Sequence, residues 1–413
     1  MVLTWKWELV IYLWIAGIAG GAYFAAFLMD RFTGGRNELL LKIAMFLGVP
    51  LVLLGSLLLV VDLGEQLRAW HLFTRFRLES PMSMGSWILL LYALIGIVMI
   101  ALWWAKSFEP EEVRLTVLSG LASVIRPAAP VIAVLSWITV VLAVLLIAYT
   151  GVLLSATNQP LWGGVLLLPA LFVASAISTG MALIVLVLRT GLGRLVDILF
   201  GGEGEPVPSE TVHVMGMASL ILGIVELVVL IGYVVWLAFF STPAAAAAVA
   251  LLLTGPMAFI FWVGVVLVGL LIPLALEFAS VRGREAIVGS VLASTSLVLL
   301  GGLFLRAAVL LSGGKTGKRF LLSNGRVLLH QPSISGILEG TATDLDIEAK
   351  EILRLRGRLY KILAGHTGQT AEKIEKDCDR NLWLEADEAI KYGLADRILQ
   401  KAPEIVRDDT GEK

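Results

Sequence analysis

The stretch "YLWIAGIAGGAYFAAFL" at residues 12–28 contains no charged side chain. A helix that crosses the hydrocarbon core of a bilayer needs about 20 mostly apolar residues, and the apolar pattern extends this stretch to roughly residues 8–29. It therefore predicts a membrane-spanning helix near the N-terminus. Its small residues at 16–26 would let a second helix backbone approach closely, and the same space could admit a flat ring.

The same pattern recurs along the chain up to about residue 312. Hydrophobic residues make up 58% of the sequence and charged residues 16%, far from the roughly 25% charged residues of soluble domains. No basic region or small-residue cleavage site marks the first apolar run as a signal peptide, so we interpret it as a retained helix. Eight spans are predicted, at roughly residues 8–29, 39–63, 86–105, 129–155, 161–188, 213–240, 250–278 and 286–311. The connections "TNQP" at 157–160 and "STPAAAAA" at 241–248 are almost free of charge.

Positive charges near the span ends predict the orientation, because Lys and Arg concentrate in cytoplasmic connections. One side carries ten such residues and the other carries four before residue 312, so both termini are expected outside the cytoplasm, in the periplasm of a bacterium with two membranes. The cytoplasmic set is Arg31, Arg36, Lys42, Lys106, Arg114, Arg126, Arg189, Arg194, Arg282 and Arg284, and the opposite set is Lys6, Arg68, Arg75 and Arg77.

Composition also excludes several classes of function. The net charge of −1 gives no electrostatic basis for nucleic-acid binding. The single cysteine, Cys378, cannot form an internal disulfide or a Cys-ligated cluster. His71 and His213 fall near predicted span ends in different connections, and a bis-His haem needs two imidazoles facing each other. We therefore expect no haem and no metal in this chain.

Ionisable residues within the spans are candidates for function, because charge in lipid is costly. They are Asp62, Glu226, Glu277 and Arg306. Alternatively, these groups pair with each other or reach the membrane surface. Tyr12, Tyr23 and Tyr149 are likewise open to a role in packing or at the membrane interface.

Four segments resemble the NrfD/PsrC family of polysulfide-reductase-type membrane subunits. They are "YLWIAGIAGGAYFAAFL" at 12–28, "SPMSMGSW" at 80–87, "AYTGVLLSATNQPLW" at 148–162 and "FWVGVVLVGLLIPLALE" at 261–277. The resemblance covers about residues 1–311 and implies eight helices without a redox centre. It also implies electron exchange between menaquinone or ubiquinone and an iron–sulfur ferredoxin-like subunit, which connects to a molybdopterin or multihaem cytochrome subunit.

The resemblance also places the family's quinone pocket near the outer face of the membrane. Its polar residue on span 1 falls on Tyr12 and its tyrosine on span 4 falls on Tyr149, with Glu8 one turn before Tyr12. A phenol supplies the hydrogen-bond donor that a quinone carbonyl needs in an apolar slot. Some members have histidine at the position of Tyr12. For proton movement we consider Glu8, Asp62, Glu226 and Glu277, and the alternative for both tyrosines is an aromatic belt.

From about Lys315 the sequence changes to a mixed α/β pattern. "RVLLHQ" at 326–331 predicts a strand, and 344–368 predicts an amphipathic helix that ends near a glycine. Thr370 predicts the N-cap of a second helix, and "EADEAIKYGLADRIL" at 385–399 predicts a helix, a glycine stop and a strand. The predicted apolar face of the long helix contains Ile347, Ile352, Leu353, Leu355, Leu359 and Ile362.

These segments resemble the C-terminal half of the proteolytic subunit of Clp protease, over about residues 313–400. The resemblance places the histidine of its Ser–His–Asp triad on His330 and its aspartate on Asn381. Counting back from His330, the nucleophilic serine falls on Leu305 in a hydrophobic helix, so the histidine has no oxygen to activate. The half-subunit also lacks part of the core that its amphipathic helix needs.

The sequence thus predicts an all-α polytopic membrane domain at 1–311, an incomplete Clp-like α/β fragment at 312–402 and a disordered polar tail at 403–413. The leading hypothesis is a quinone-interacting anchor subunit of a respiratory oxidoreductase in the cytoplasmic membrane. The alternatives are a membrane-tethered Clp-type serine endopeptidase, which would need Clp subunits and an unfoldase if the fragment folds, and a structural anchor without quinone contact. Three origins of the Clp-like region are open: a true gene fusion, a relic of a frameshift or rearrangement, and an error in joining two genes. We favour a non-functional join.

Overall fold

Eight helices in the described part of the computed structural model are long and apolar enough to cross a membrane, which confirms the predicted membrane fold. The structure describes residues 7–35, 37–62, 70, 73, 80–107, 129–157, 161–162, 166–204, 207–241, 243–255, 257–282, 288–311, 319–332 and 342–399. Spans 1 to 8 are Trp7–Phe32, Glu38–Asp62, Pro81–Ser107, Ala129–Ser155, Leu167–Arg189, Ser209–Phe239, Ile260–Arg282 and Val288–Leu311. A short helix, Leu192–Leu199, follows span 5.

The largest departures from the predicted boundaries surround span 7. The segment predicted as a connection contains a helix, Pro243–Thr254, because its alanine run has high helix propensity. Span 7 then begins at Ile260, ten residues later than predicted. Its first part, Ile260–Leu271, is π-helical, and an α-helix follows from Ile272 to Arg282. Pro273 has no N–H to donate to Gly269, in keeping with an altered hydrogen-bond pattern before it.

Span 1 is the central helix of the bundle. Of the apolar stretch of span 1, 83% is buried, whereas the buried share for span 6 is 22%. Span 6 therefore presents most of its surface outward. The small residues of span 1 pack against span 5, where a Cβ at Gly21 would overlap the backbone of Ala176 and a Cβ at Gly180 would overlap the backbone at Gly21 and Ala22. The predicted close approach of a second helix backbone is therefore confirmed.

A second compact unit contains Gly313–Lys413, whereas the first spans Trp5–Ser312. Its described part has four strands: β1 (Phe320–Leu322), β2 (Arg326–Leu329), β3 (Leu382–Glu385) and β4 (Arg397–Leu399). Strand β1 pairs in parallel with β4, and β2 pairs antiparallel with β3. The helices are Ala342–Thr367, Ala371–Cys378 and Ala386–Tyr392, which confirms all three predicted helices.

Local signals fix the ends of these helices as the sequence predicts. The side chain of Thr370 accepts a hydrogen bond from the backbone N–H of Lys373 at 3.3 Å, as an N-cap does. Gly393 ends the last helix with φ at 92°, a left-handed conformation that glycine adopts without steric cost.

A small hydrophobic core holds the second unit together. It contains Leu329, Tyr360, Ile374, Cys378, Leu384, Ala389 and Tyr392. Much of the long helix lies outside this core, since Ile347, Leu353 and Ile362 are 50–58% exposed. The predicted apolar face is therefore only partly covered, in agreement with a fold that lacks some of its neighbours.

Candidate functional site

Two tyrosines predicted as site residues come together at the end of the bundle where span 1 begins. Tyr12 lies in the second turn of span 1 and Tyr149 lies in the last two turns of span 4. Tyr12 is fully buried, Tyr149 is 7% exposed, and their phenol groups are close enough to interact electrostatically. The antiparallel course of spans 1 and 4 accounts for this meeting of residues far apart in the sequence.

Glycines allow both rings to lie close to neighbouring backbones. The Tyr12 ring carbon Cδ2 lies 3.1 Å from the position of a Cβ built on Gly55 of span 2. A Cβ on Gly85 of span 3 would overlap the Tyr149 ring. Gly85 belongs to "SPMSMGSW", so three of the four segments that carry the family resemblance meet here.

The Tyr12 hydroxyl is buried, and among the described residues no hydrogen-bond partner lies within 3.5 Å of it with suitable geometry, although the Tyr149 hydroxyl is near enough to interact with it. By contrast, the hydroxyl of Tyr92 donates to the Ala19 carbonyl at 3.0 Å, and that of Tyr233 donates to the Leu161 carbonyl at 2.6 Å. An unsatisfied buried hydroxyl is costly, on the order of 1–3 kcal/mol, so such a group indicates a missing partner. Glu8 is half-buried in the first turn of span 1, and no hydrogen bond joins it to Tyr12 or Tyr149 in the described part of the chain.

Glu226 and Arg306 form a second buried group, between spans 1, 5, 6 and 8. Arg306 is fully buried; it donates from Nε to the Leu13 carbonyl at 3.1 Å and from Nη1 to Ser175 Oγ at 3.3 Å. Glu226 is 6% exposed and interacts with Ser175, Ser178 and the charge of Arg306. The charges of Glu226 and Arg306 interact across Ser175, and no ion pair within 4.0 Å joins the two side chains.

The other predicted proton-path residues lie apart from this group. Glu277 is near the end of span 7 and accepts a hydrogen bond from Ser294 Oγ at 3.1 Å. Asp62 is the last residue of span 2, at the end of the bundle where span 1 begins. Among the described residues, no hydrogen bond or ion pair links Glu277 to Glu226.

In the second unit, the strand register places His330 beside Asn381. Leu329 of β2 pairs with Leu382 of β3, so the next pair of positions is His330 and Asn381. Both are exposed, and no hydrogen bond joins them in the described part of this unit. Leu305, at the expected position of the serine, is 2% exposed within span 8.

Sequence reasoning missed several polar groups that line the inside of spans 1, 3 and 4. They are Asp30, Tyr92, Ser136 and Thr139, all buried. The signal was available in part, because Tyr12, Tyr23 and Asp30 recur at helical spacing along span 1. Among the described residues, no group of three or more His, Cys, Asp or Glu side chains is arranged to hold a metal ion.

The fold and the buried phenol pair define a multi-pass integral membrane protein with a polar site between its spans. The chain belongs to the family described as Polysulphide reductase, NrfD, whose sequence profile matches residues 1–316. It is 33% identical to Protein NrfD of Escherichia coli (strain K12) over 323 residues, which are 76% of this chain and 96% of that protein.

The C-terminal region matches a different family, Clp protease, over residues 287–402. It is 50% identical over 95 residues to the ATP-dependent Clp protease proteolytic subunit of Porphyromonas gingivalis, covering 23% of this chain and 42% of that protein. For the ATP-dependent Clp protease proteolytic subunit 2 of Gluconobacter oxydans the identity is 46% over 114 residues, 28% of this chain and 50% of that protein. The chain thus spans about half the length of these Clp relatives, and the two family matches overlap along span 8.

Proposed function

We propose that this protein is a quinone-interacting membrane subunit of a respiratory oxidoreductase. The observation that carries the proposal is the pair of buried phenols, Tyr12 and Tyr149, in which the Tyr12 hydroxyl has no well-formed hydrogen bond within the described part of the chain. Membership of the NrfD family supports it. A quinone carbonyl oxygen is an acceptor that would satisfy this donor in an apolar surrounding.

In this proposal Tyr12 and Tyr149 bind and orient the quinone head group by hydrogen bonds from their hydroxyls. The quinone, menaquinone or ubiquinone, supplies the two-electron, two-proton chemistry when bound. Gly55 and Gly85 hold the two rings in place by close backbone contact. Glu8, at the start of span 1, and Asp62, at the end of span 2, are the proposed groups for proton transfer to and from the quinone at this end of the bundle. The buried Glu226 and the half-buried Glu277 are further proton carriers deeper in the bundle.

The proposal includes partner subunits that hold the redox centres. An iron–sulfur subunit would exchange electrons with the quinone, and a molybdopterin or multihaem cytochrome subunit would complete the complex. We further propose that the protein lies in the cytoplasmic membrane with both termini outside the cytoplasm. The organisation is a membrane domain at 1–311, a Clp-like region at 312–402 and a polar tail at 403–413.

We propose no peptidase activity for the Clp-like region. Leu305 cannot act as a nucleophile, and His330 has no hydrogen bond to Asn381 in the described residues. Without a nucleophile to activate, His330 is a surface residue at a strand end.

The test is quinol oxidation by the complex purified with its partner subunits, comparing Tyr12→Phe, Tyr149→Phe and the parent. Each phenylalanine keeps the ring and removes one hydroxyl, so we expect weaker binding of a quinone analogue by about tenfold, since one hydrogen bond contributes roughly 1 kcal/mol or more. Binding is measured by quenching of the intrinsic fluorescence of the chain, which has 12 tryptophans.

The matched control is Tyr233→Phe, because Tyr233 is a buried tyrosine whose hydroxyl already has a carbonyl partner. This variant should bind the quinone analogue as the parent does. Unchanged quinol oxidation and unchanged quenching in both site variants would remove these two tyrosines from the quinone site. The absence of quenching in the parent would reject the quinone function and leave a purely structural anchor. Peptide hydrolysis by the same preparation, blocked by a serine-directed inhibitor, would instead support the peptidase alternative.

A further inference from the structure

The short helix Leu192–Leu199 turns away from span 5 directly after that span ends. Span 5 ends at Arg189, and the backbone N–H of Thr190 donates to the Leu186 carbonyl at 2.9 Å. Gly191 then takes a left-handed conformation, with φ at 80°, which favours glycine because glycine has no Cβ. The chain is therefore redirected at Gly191, and the short helix does not continue the course of span 5.

One face of the short helix packs on the membrane bundle, where it contacts spans 2 and 5. Gly193 and Val196 are buried, and a Cβ built on Gly193 would lie 3.4 Å from Cδ1 of Ile43 in span 2. Phe200, which follows the short helix, is 6% exposed, and its ring meets that of Trp103 in span 3 edge-on, with centroids 6.4 Å apart. This face is thus fixed against three spans.

The outward side of the short helix carries an apolar stripe. Because successive residues of an α-helix turn by about 100°, the apolar residues outside the packed face lie next to one another around the helix, and Arg194 and Asp197 lie outside their sector. The side chains of this stripe are 51–58% exposed, and they are Leu192, Leu195, Ile198 and Leu199. A helix with separate apolar and polar sides suits the boundary between lipid and water.

The polar side of the short helix holds the connection that follows it. The Asp197 carboxylate accepts a hydrogen bond from the backbone N–H of Gly204 at 3.0 Å, and the Asp197 carbonyl accepts one from the backbone N–H of Gly202 at 2.9 Å. Arg194 and Glu203 are exposed on the same part of the chain. Charged and hydrogen-bonded groups therefore gather on one side of the helix and the apolar stripe on another.

The contact with span 2 gives the level of the short helix in the membrane. Ile43 lies 19 residues before Asp62, the last residue of span 2, which corresponds to about 28 Å at 1.5 Å per residue. The hydrocarbon core of a bilayer is about 30 Å thick. With the ionisable Asp62 at one boundary of this core, Ile43 and the helix packed on it lie at the other boundary.

We propose that the short helix lies in the lipid leaflet at this end of the bundle and inserts its apolar stripe among the acyl chains. The stripe continues the outward surface of span 2, where Phe46 is 37% exposed and its ring centroid lies 6.2 Å from that of Phe200. Arg194, on the polar side, meets the headgroups and water. The distribution of positive charges predicts that this leaflet is the cytoplasmic one. Lipid binding at the stripe is independent of the proposed quinone function.

The test is fluorescence quenching of the full-length chain in liposomes of phosphatidylethanolamine and phosphatidylglycerol. Cys378→Ala removes the single cysteine, and Leu195→Cys introduces one on the stripe for labelling with a thiol-reactive dye. A nitroxide attached to the lipid near its headgroup should quench this dye, and aqueous iodide should not, because an interfacial helix buries its apolar face about 5–10 Å into the boundary. The matched control on the polar side is Arg194→Cys, where iodide should quench and the nitroxide should quench less.

Leu199→Cys repeats the measurement at a second position of the stripe, so that one poorly folded variant does not decide the result. Iodide quenching of both stripe variants as strong as that of Arg194→Cys would overturn the proposal, since the helix would then lie in water. Protection of both stripe variants from iodide and from the lipid nitroxide would also overturn it and assign the stripe to a protein contact.

Discussion

Replacing Glu226 by glutamine should destabilise the bundle, because it leaves the Arg306 charge buried without its counter-charge. Arg306 is fully buried and Glu226 is 6% exposed, and a guanidinium does not give up its proton at neutral pH. Arg306→Met, by contrast, removes the cation and leaves a carboxyl that can take up a proton. The two substitutions therefore differ in the kind of group that they leave behind.

The magnitudes follow from the contacts of Arg306. Breaking a buried pair by removing one partner costs about 3–5 kcal/mol, and we expect the lower end for Glu226→Gln because Ser175 stands between the two charges. Arg306→Met loses bonds to Leu13, Ser175 and Gly302. At about 0.6 kcal/mol for each bond inside a membrane, the cost is about 2 kcal/mol.

The informative variant is the double substitution. Once Arg306→Met has removed the cation, Glu226→Gln no longer leaves a buried charge uncompensated, so the second change should add little and the pair should be non-additive by about 3 kcal/mol. The assay is reversible unfolding by titration with SDS in mixed micelles, followed by tryptophan fluorescence and circular dichroism. Each variant is compared with the full-length parent, so the contribution of the C-terminal region cancels.

Two results would refute this reasoning. One is a cost for Glu226→Gln below about 0.5 kcal/mol, the level of an ordinary surface substitution. The other is simple additivity in the double variant, which would mean that the two residues contribute independently.

Three further predictions concern other parts of the chain. Gly85→Ala should displace the Tyr149 ring and weaken quinone-analogue quenching, whereas Gly289→Ala, where a Cβ meets nothing within 4 Å, should not. Burial, and then the hydrogen bond to Asp377, raises the pKa of Tyr392 above its ordinary value. Because the unfolded chain then loses the phenol proton more readily than the folded chain, the C-terminal unit should lose stability as the pH rises beyond about 10. Thermal melts at increasing pH should show a smaller loss for Tyr392→Phe. Finally, a fluorophosphonate probe should leave the full-length chain unlabelled, and mass spectrometry would show an adduct if the Clp-like region had an active serine.

Much of the membrane fold could be predicted because bilayer thickness imposes a simple rule on apolar length. The predicted limits of span 4, residues 129–155, coincide with the helix Ala129–Ser155. The rule fails where apolar sequence does not cross the membrane: the sequence predicts a connection where the helix Pro243–Thr254 lies, and it predicts that span 7 starts within that helix. Hydropathy cannot separate two consecutive apolar helices when only a short turn lies between them.

The sequence predicts which residues form the candidate site, but it predicts little of how they contact one another. The sequence singles out Tyr12 and Tyr149, and the structure brings them together. The burial of the Tyr12 ring depends on its packing against Gly55 of span 2 and Tyr149 of span 4, and a single sequence does not show such contacts between spans. Tyr92 was missed because an isolated tyrosine in an apolar helix has no distinctive spacing. Its hydroxyl donates to the Ala19 carbonyl of span 1, a contact between spans that hydropathy does not predict.

The bond between Arg306 and the Leu13 carbonyl joins positions 293 residues apart. At a synthesis rate of about 5–20 residues per second, roughly 15–60 s separate the emergence of these two positions from the ribosome. During that interval the first helix lies in the membrane without its last neighbour, and the Leu13 carbonyl has no guanidinium to accept from until nearly all of the bundle has been inserted. Closure of the bundle is therefore a late event in biogenesis, and a chain truncated before span 8 would leave its central helix open to quality-control proteases.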